Sequence, residues 1–252
     1  MKYIALSLVS ATLLLSSCSK RYYAPALFRS DVVYIPKPAS YDSIKHVIYV
    51  SGGISGSQGI NLSDEVFTAT IDLSAGHVFS NANVAYGAFA AAGNISNPAS
   101  NDNNNYPLDS KGFTAIGGRF SANLFSNKNR TDFRYLGFEA VYSKEFGSYT
   151  NFRKAVNGLA NNYSITGTDL LSMGLTSEII WRNKRTRYTQ YGIRLFIGGR
   201  FINNTFENLD DESHKYYPAQ INLGYFMKYQ RYICSINTNL LTSFGIKLGY
   251  SF

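Results

Sequence analysis

The sequence predicts an all-β protein, a transmembrane antiparallel up-and-down β-barrel of about ten strands. Three observations predict it. Apolar and polar residues alternate along most of the chain beyond residue 45. Most of the alternating segments reach the roughly 9 to 11 residues that a tilted strand needs to cross a bilayer. The connections between them alternate between long and short, as the loops and turns of outer-membrane barrels do. Composition agrees: of 252 residues 15% are aromatic and 16% charged, against a usual charged share of about 25%, and this much Tyr and Phe excludes a disordered chain. Beyond residue 17 no apolar run approaches the ~18 to 20 residues of a membrane helix.

The N-terminus reads as an export address. Lys2 gives a short basic region, Ile4 to Leu15 an apolar stretch, and Leu15-Ser16-Ser17-Cys18 a small-residue exit. The stretch is too short for a membrane span, so residues 1–17 read as a signal peptide removed on maturation. Leu15 to Cys18 resembles the lipobox of bacterial lipoproteins. That resemblance implies that the lipoprotein-processing machinery makes Cys18 the first mature residue and attaches acyl groups such as palmitate. Each buried CH₂ contributes about 0.8 kcal/mol, so several chains hold a protein firmly to a bilayer.

Residues 18–45 carry Pro25, Pro36 and Pro38 without sustained periodicity, and read as an extended tether between lipid and barrel. Without residues 1–17 the chain has 235 residues and a formal charge of +7, because only Lys2 is lost. The surplus is diffuse and makes no basic face interleaved with aromatics, which argues against nucleic acid as a partner. Anionic lipid headgroups are the better counterpart. With Cys18 acylated, Cys234 stands alone and no intrachain disulfide framework exists.

Residues 46–252 form the barrel domain, with candidate strands at about 46–56, 65–79, 84–93, 112–125, 133–146, 170–181, 188–202, 218–229, 232–240 and 244–252. Alternation places one set of side chains on each face. In 114–124, Ile116, Phe120 and Leu124 oppose Arg119, Ser121 and Asn123. In 134–146, Leu136, Phe138, Ala140 and Tyr142 oppose Gly137, Glu139, Val141 and Ser143. In 191–201, Tyr191, Ile193, Leu195, Ile197 and Phe201 oppose Arg194, Phe196 and Arg200. Long connections at 94–111, 147–169 and 203–217 fall on one side. Both barrel termini then lie on the short-turn side, which requires an even strand number. Ten is favoured; eight and twelve stay open, because the turn at 241–243 is tight and residues 46–64 pattern weakly.

Together with the lipobox, residues 46–252 resemble the outer-membrane β-barrel lipoproteins of Gram-negative bacteria, a group of small OmpA- and OmpX-like barrels. The sharpest part is the end, where Ile246, Leu248, Tyr250 and Phe252 alternate up to a terminal aromatic. This is similar to the C-terminal signal read by the barrel-assembly machinery. The resemblance implies the cell outer membrane as location and its lipids as surroundings. Because Ser19-Lys20-Arg21 lacks an acidic run, it also implies acyl chains in the inner leaflet, so that Cys18 anchors the chain on the periplasmic side.

A sheet in hydrocarbon must close to pair its backbone, and an Arg or Lys facing lipid near midplane costs about 2 to 4 kcal/mol. The outer phase accordingly holds Tyr142, Tyr191, Tyr225, Tyr229, Tyr250 and Trp181, several near strand ends where aromatic girdles sit. The inner phase collects Asp72, Arg119, Glu139, Glu178, Arg194, Arg200, Lys228 and Lys247. Arg119, Glu139, Glu178 and Arg194 come from four consecutive strands in the order plus, minus, minus, plus. Buried charges persist only when paired and a narrow barrel is filled by side chains, so these four are expected to form a lumenal ion-pair network.

Catalytic chemistry is poorly represented. No His, Cys and carboxylate set has metal-ligand spacing, so no metal and no cofactor is expected. His77 falls near the short-turn end of its strand. The repeated Ile116-Gly117-Gly118-Arg119-Phe120 and Ile197-Gly198-Gly199-Arg200-Phe201 lack the Lys-Ser/Thr of a phosphate loop; glycine there relieves crowding beside large inward side chains. Asp210-Asp211-Glu212-Ser213-His214 in one long loop, with Asp102 and Asp109 in another, could activate water. Ten-stranded outer-membrane proteases of the omptin family are similar in that broad sense, but no motif matches theirs. The expectation is a barrel that is not an enzyme, with a structural, adhesive or complex-forming role, an envelope protein as potential partner, and a lumen plugged by side chains. A small ion or solute channel is the alternative, and an outer-membrane hydrolase the second.

Overall fold

The fold was described from a computed structural model, which covers residues 21–60, 63–97, 108–128, 130–157, 159, 162–183, 189–202, 219–240 and 242–252. Ten long strands close into one antiparallel barrel: β2 (His46–Gln58), β3 (Glu65–Val78), β4 (Ala82–Ser96), β5 (Lys111–Lys128), β6 (Thr131–Phe146), β8 (Asp169–Arg182), β9 (Thr189–Ile202), β10 (Gln220–Tyr229), β11 (Tyr232–Asn239) and β12 (Ser243–Ser251). Each pairs with its neighbour in sequence order, and β12 closes on β2 with Ser251 opposite Tyr49 and Ser243 opposite Ser57. The expected count of ten and the barrel class are those observed.

The alternation that predicts these strands is the one that closes them. In β3, Phe67, Ile71 and Leu73 are exposed while Val66, Thr68, Asp72 and Ser74 are buried. In β12, Ile246 and Leu248 face outward, as does Phe252 just after it, Tyr250 is half-buried, and Lys247 and Ser251 point inward. The exposed apolar residues run through every barrel strand. Soluble monomers rarely expose contiguous apolar patches beyond a few hundred Å², so this surface belongs in lipid, and the closed ladder leaves no strand edge unpaired there. The chain is a transmembrane β-barrel.

One strand breaks its own period. In β6, Tyr135 and Leu136 are both exposed, so Arg134 and Glu139 both point inward although they stand an odd five positions apart. The register against β8 shifts between Arg134 and Gly137. Such a bulge inserts one residue and reverses the facing of everything beyond it. Strict alternation would have put Arg134 in the lipid-facing phase with Leu136; the bulge carries it into the lumen.

The long 147–168 connection has structure of its own: helix α1 (Ser148–Val156) and the short strand β7 (Asn162–Ser164). β7 pairs in parallel with β1 (Arg21–Tyr23), Tyr22 opposite Tyr163. This places the first described residues at the long-loop end. The chain then makes a 3-10 turn at Ala26–Arg29 and runs to the opposite end, where Asp42 meets Arg182 and Gln190 before β2 begins. Residues 21–45 therefore traverse the lumen from end to end. The reading of residues 18–45 as an extended tether between lipid and barrel did not place residues 21–45 inside the lumen. The reason is chemical: Leu27, Phe28, Val32, Tyr34 and Ile35 are apolar enough to leave water, and Asp31 and Lys37 find opposite charges inside.

Candidate functional site: a lumen closed by the N-terminal segment

The site is the lumen and the segment in it. At the long-loop end the filling is apolar. Leu27 and Phe28 pack among inward residues that include Phe89, Phe113, Val141 and Phe196. Full burial of a Leu or Phe side chain contributes about 1.5 to 3 kcal/mol. The polar atoms of this end are tied to the cap. Glu145 Oε2 accepts from Ala26 N at 2.5 Å, and Glu145 Oε1 accepts from Arg153 Nη2 at 2.6 Å and from Thr150 Oγ1 at 3.0 Å. Arg153 also donates to the carbonyls of Ile165 and Gly167, bracing the turn that follows β7. Tyr149 Oη donates to Ala24 O at 2.9 Å. Burial holds the Tyr149 phenol well above its ordinary pKa, which keeps the donor proton in place.

Midway down the lumen the filling is ionic. Lys37 Nζ lies 2.6 Å from Glu178 Oε1 and 3.8 Å from Glu139 Oε1, and donates to Ser121 Oγ at 2.8 Å. Glu178 Oε2 accepts from Arg134 Nη1 at 2.6 Å, and Arg134 Nη2 donates to Pro38 O at 2.8 Å. Arg194 grips Glu139 with two nitrogens, Nε at 3.0 Å from Oε1 and Nη2 on Oε2, and reaches Asn222 Oδ1 at 3.0 Å. Lys37, Arg134, Glu139, Glu178 and Arg194 are all buried. Removing a carboxylate from such a pair strands a buried cation, which costs about 3 to 5 kcal/mol.

The four residues expected to form one network all point inward, but they divide. Arg194 and Glu139 pair directly, and Lys37 links them to Glu178. Arg119 stands apart, with its guanidinium on Asp72 and over the Phe89 ring at 4.0 Å. Lys247 Nζ completes that second cluster 2.9 Å from Asp72 Oδ2. A third contact joins Asp31 to Ser172 Oγ, with Arg200 Nε 3.8 Å from Asp31 Oδ1. Lys37, Asp31 and Arg134 are the members that sequence reasoning missed. The first two lie in the presumed tether, and the third lies beyond the bulge. A signal for Arg134 was available: the run Phe133-Arg134-Tyr135-Leu136 cannot keep one phase without placing a cation in lipid.

Room for a polypeptide in ten strands comes from small inward residues. Ser51, Ser74, Ser121, Ser143, Ser172 and Ser235 are buried on the inner face. At Gly76 the wall backbone comes close to the segment: a Cβ there would lie 2.8 Å from Pro38 Cδ and 3.2 Å from Lys37 Cα. The expected plug of side chains is present, and the backbone of the N-terminal segment runs through it. Wall side chains meet in pairs, Arg194 with Glu139 and Arg119 with Asp72, and the backbone of the segment takes the space they leave. Glycine relieves crowding as expected at Gly117, whose Cβ would lie 2.6 Å from Phe89 Cε1.

The short-turn end is polar and half-open. Ser40 N donates to Asp132 Oδ2 at 2.9 Å, and Asp42 receives Gln190 Nε2 at 2.7 Å with Lys228 Nζ 3.6 Å away. His46 and His77 stack at 4.3 Å across β2 and β3, and His77 Nε2 is 3.2 Å from Tyr86 Oη on the outer face. Tyr232, Tyr250 and Phe252 make edge contacts at the same end, at 5.4 and 5.0 Å, the aromatic girdle foreseen there. Cys234 is a free thiol.

Among the described residues no group of three His, Cys, Asp or Glu could hold a metal ion, and no helix is long and apolar enough to cross a membrane. Asp102, Asp210, Asp211, Glu212, Ser213, His214 and Cys18 lie outside the described residues. Asp109 is described and exposed.

No protein-family model matches the chain, and no curated protein does. Among solved structures it is similar to an outer membrane channel from Pseudomonas putida F1, at 10% identity over 86% of this chain and 100% of that one, TM-score 0.45. It is also similar to the transport unit of an autotransporter from Escherichia coli, at 9% identity over 89% and 94% of the two chains, TM-score 0.41. The translocator domain of an autotransporter from Neisseria meningitidis matches at 8% identity over 85% and 90%, TM-score 0.40.

Proposed function

We propose that the protein is an outer-membrane channel, without enzymatic activity, held shut by its own N-terminal segment. The observation that carries this reading is the nature of the filling. A ten-stranded wall lined with Ser, Asn, Thr and Gly encloses space wide enough for a polypeptide, and that space is taken by residues 21–45 through non-covalent contacts alone. A barrel built only for rigidity would fill its bore with wall side chains. A wall that leaves an axial path, polar in its middle and at its short-turn end, suits passage of small hydrophilic solutes or ions whenever the segment shifts.

A second reading keeps the barrel permanently closed as a structural or adhesive platform. It is favoured by the buried pairs that tie Lys37 and Pro38 to Glu178 and Arg134, since such contacts are costly to break. Planar-bilayer recording separates the two. The full chain is expected to show rare, brief openings. Gly76→Ile, whose side chain would displace the backbone at Lys37 and Pro38, is expected to open at least ten times more often. A full chain and a folded Gly76→Ile barrel that are both silent would leave the closed platform as the function.

A further inference from the structure

We infer that the mature N-terminus lies on the outer face of the membrane, so that an acylated Cys18 anchors in the leaflet beside the long loops and residues 21–45 connect that anchor to β2 through the lumen. This stands whether or not the barrel conducts. It replaces the periplasmic placement that the lipobox resemblance implied.

The argument is one of reach. Arg21–Tyr23 pairs with Asn162–Ser164, which belongs to the long connection between β6 and β8. Ile165 N donates to Tyr23 O at 2.9 Å and Tyr149 Oη to Ala24 O at 2.9 Å, so the start of the segment is fixed at this end. Its other end is fixed at the short turns, where Asp42 meets Gln190 and Arg182. Cys18 precedes Arg21 by three residues. A fully extended chain spans at most about 3.3 to 3.6 Å per residue, or roughly 10 Å for three. The apolar band of an outer-membrane barrel is about 25 Å tall. Three residues therefore cannot return Cys18 to the short-turn leaflet. The lumen is already filled by the same chain, and a path outside the wall would drag unpaired backbone through hydrocarbon.

Long loops face outward in this barrel class and short turns face the periplasm, which makes the Arg21 end the cell-surface end. Tyr22 stacks on Tyr163 there at 5.3 Å, and both pack against the buried cluster of Tyr23, Leu27 and Tyr149, which fixes the segment's start at this end. The lumen also constrains the order of assembly. Acyl chains would have to pass Asp72, Glu139, Glu178 and the wall cations paired with them to be threaded through a finished barrel. The sheet must instead close around residues 21–45 with the anchor already outside the ring.

The test uses the full chain expressed in a Gram-negative host, with an epitope inserted between Ser19 and Lys20 and an alkyne fatty acid fed to the cells. The expected result is antibody staining of intact cells equal to that of permeabilised cells, together with fatty-acid label that disappears in Cys18→Ala. Staining that requires permeabilisation overturns the inference, as does label unchanged by Cys18→Ala. Should the epitope hinder folding, seen as loss of heat-modifiable migration, the untagged chain answers the same question. Trypsin added to intact cells is expected to cut after Lys20 or Arg21 and part the label from the barrel, and label that stays with the barrel until cells are opened overturns the inference.

Discussion

Glu178 is the residue on which the lumen's charge balance turns. It faces two buried cations at 2.6 Å, Lys37 from the segment and Arg134 from β6. Lys37, by contrast, can be lost without stranding a charge, because Glu178 keeps Arg134 and Glu139 keeps Arg194. The two substitutions are therefore unequal. Glu178→Leu is expected to cost about 3 to 5 kcal/mol, the range for orphaning a buried partner, and Lys37→Met about 1 kcal/mol, the net of one hydrogen-bonded contact. Heat-modifiable migration measured against temperature ranks them, and equal midpoints would contradict this account. The inward phase of Glu178 was legible from alternation in β8; its partners were not. Lys37 sits among prolines with no period to read, and Arg134 sits across a bulge.

At the level of elements, alternation located each strand closely. The expected 133–146 is the observed Thr131–Phe146, and the expected 244–252 is the observed Ser243–Ser251. Strand period depends only on nearest neighbours along the chain, which is why a single sequence carries it. The bulge at Tyr135–Leu136 is of another kind, because it exists only relative to the partner strand β8. Deleting Leu136 tests its purpose. The deletion restores strict alternation and turns Asp132 and Arg134 toward lipid, at up to about 2 to 4 kcal/mol for a cation, less near the interface. Sharply reduced assembly is expected, read as the fraction of heat-modifiable barrel in isolated membranes. Normal assembly would mean that Arg134 need not face the lumen. The α1–β7 cap is also an element that sequence reading did not supply. Its residues lie in a connection without sustained period, and they become ordered against the Tyr23–Phe28 end of the segment.

For the whole molecule, the backbone ladder is continuous without the N-terminal segment, whereas the lumen is not stable chemistry without it. Phe89, Phe113, Val141 and Phe196 face inward near the long loops and are covered by Leu27 and Phe28, and Glu178 loses Lys37. A chain lacking residues 22–40 is therefore expected to close its ten strands but to unfold at a clearly lower temperature and to carry a large, steady current. An unchanged unfolding midpoint would show that the filling contributes nothing to stability. The full-length and shortened chains should give the same strand content by circular dichroism, since every β2–β12 contact of the wall survives.

The sequence by itself determined the class, the strand number favoured by parity, the lipid-facing phase and the inward charges, because each is a local pattern imposed by one face meeting lipid and the other being shielded from it. Tertiary structure alone decided which charges pair, that the chain from about Ala24 to Asp42 fills the bore, and that Arg21–Tyr23 lies at the long-loop end. Those outcomes depend on groups more than a hundred residues apart, such as Ala26 with Glu145 and Lys37 with Glu178. They also depend on the width of a ring that exists only once β12 meets β2.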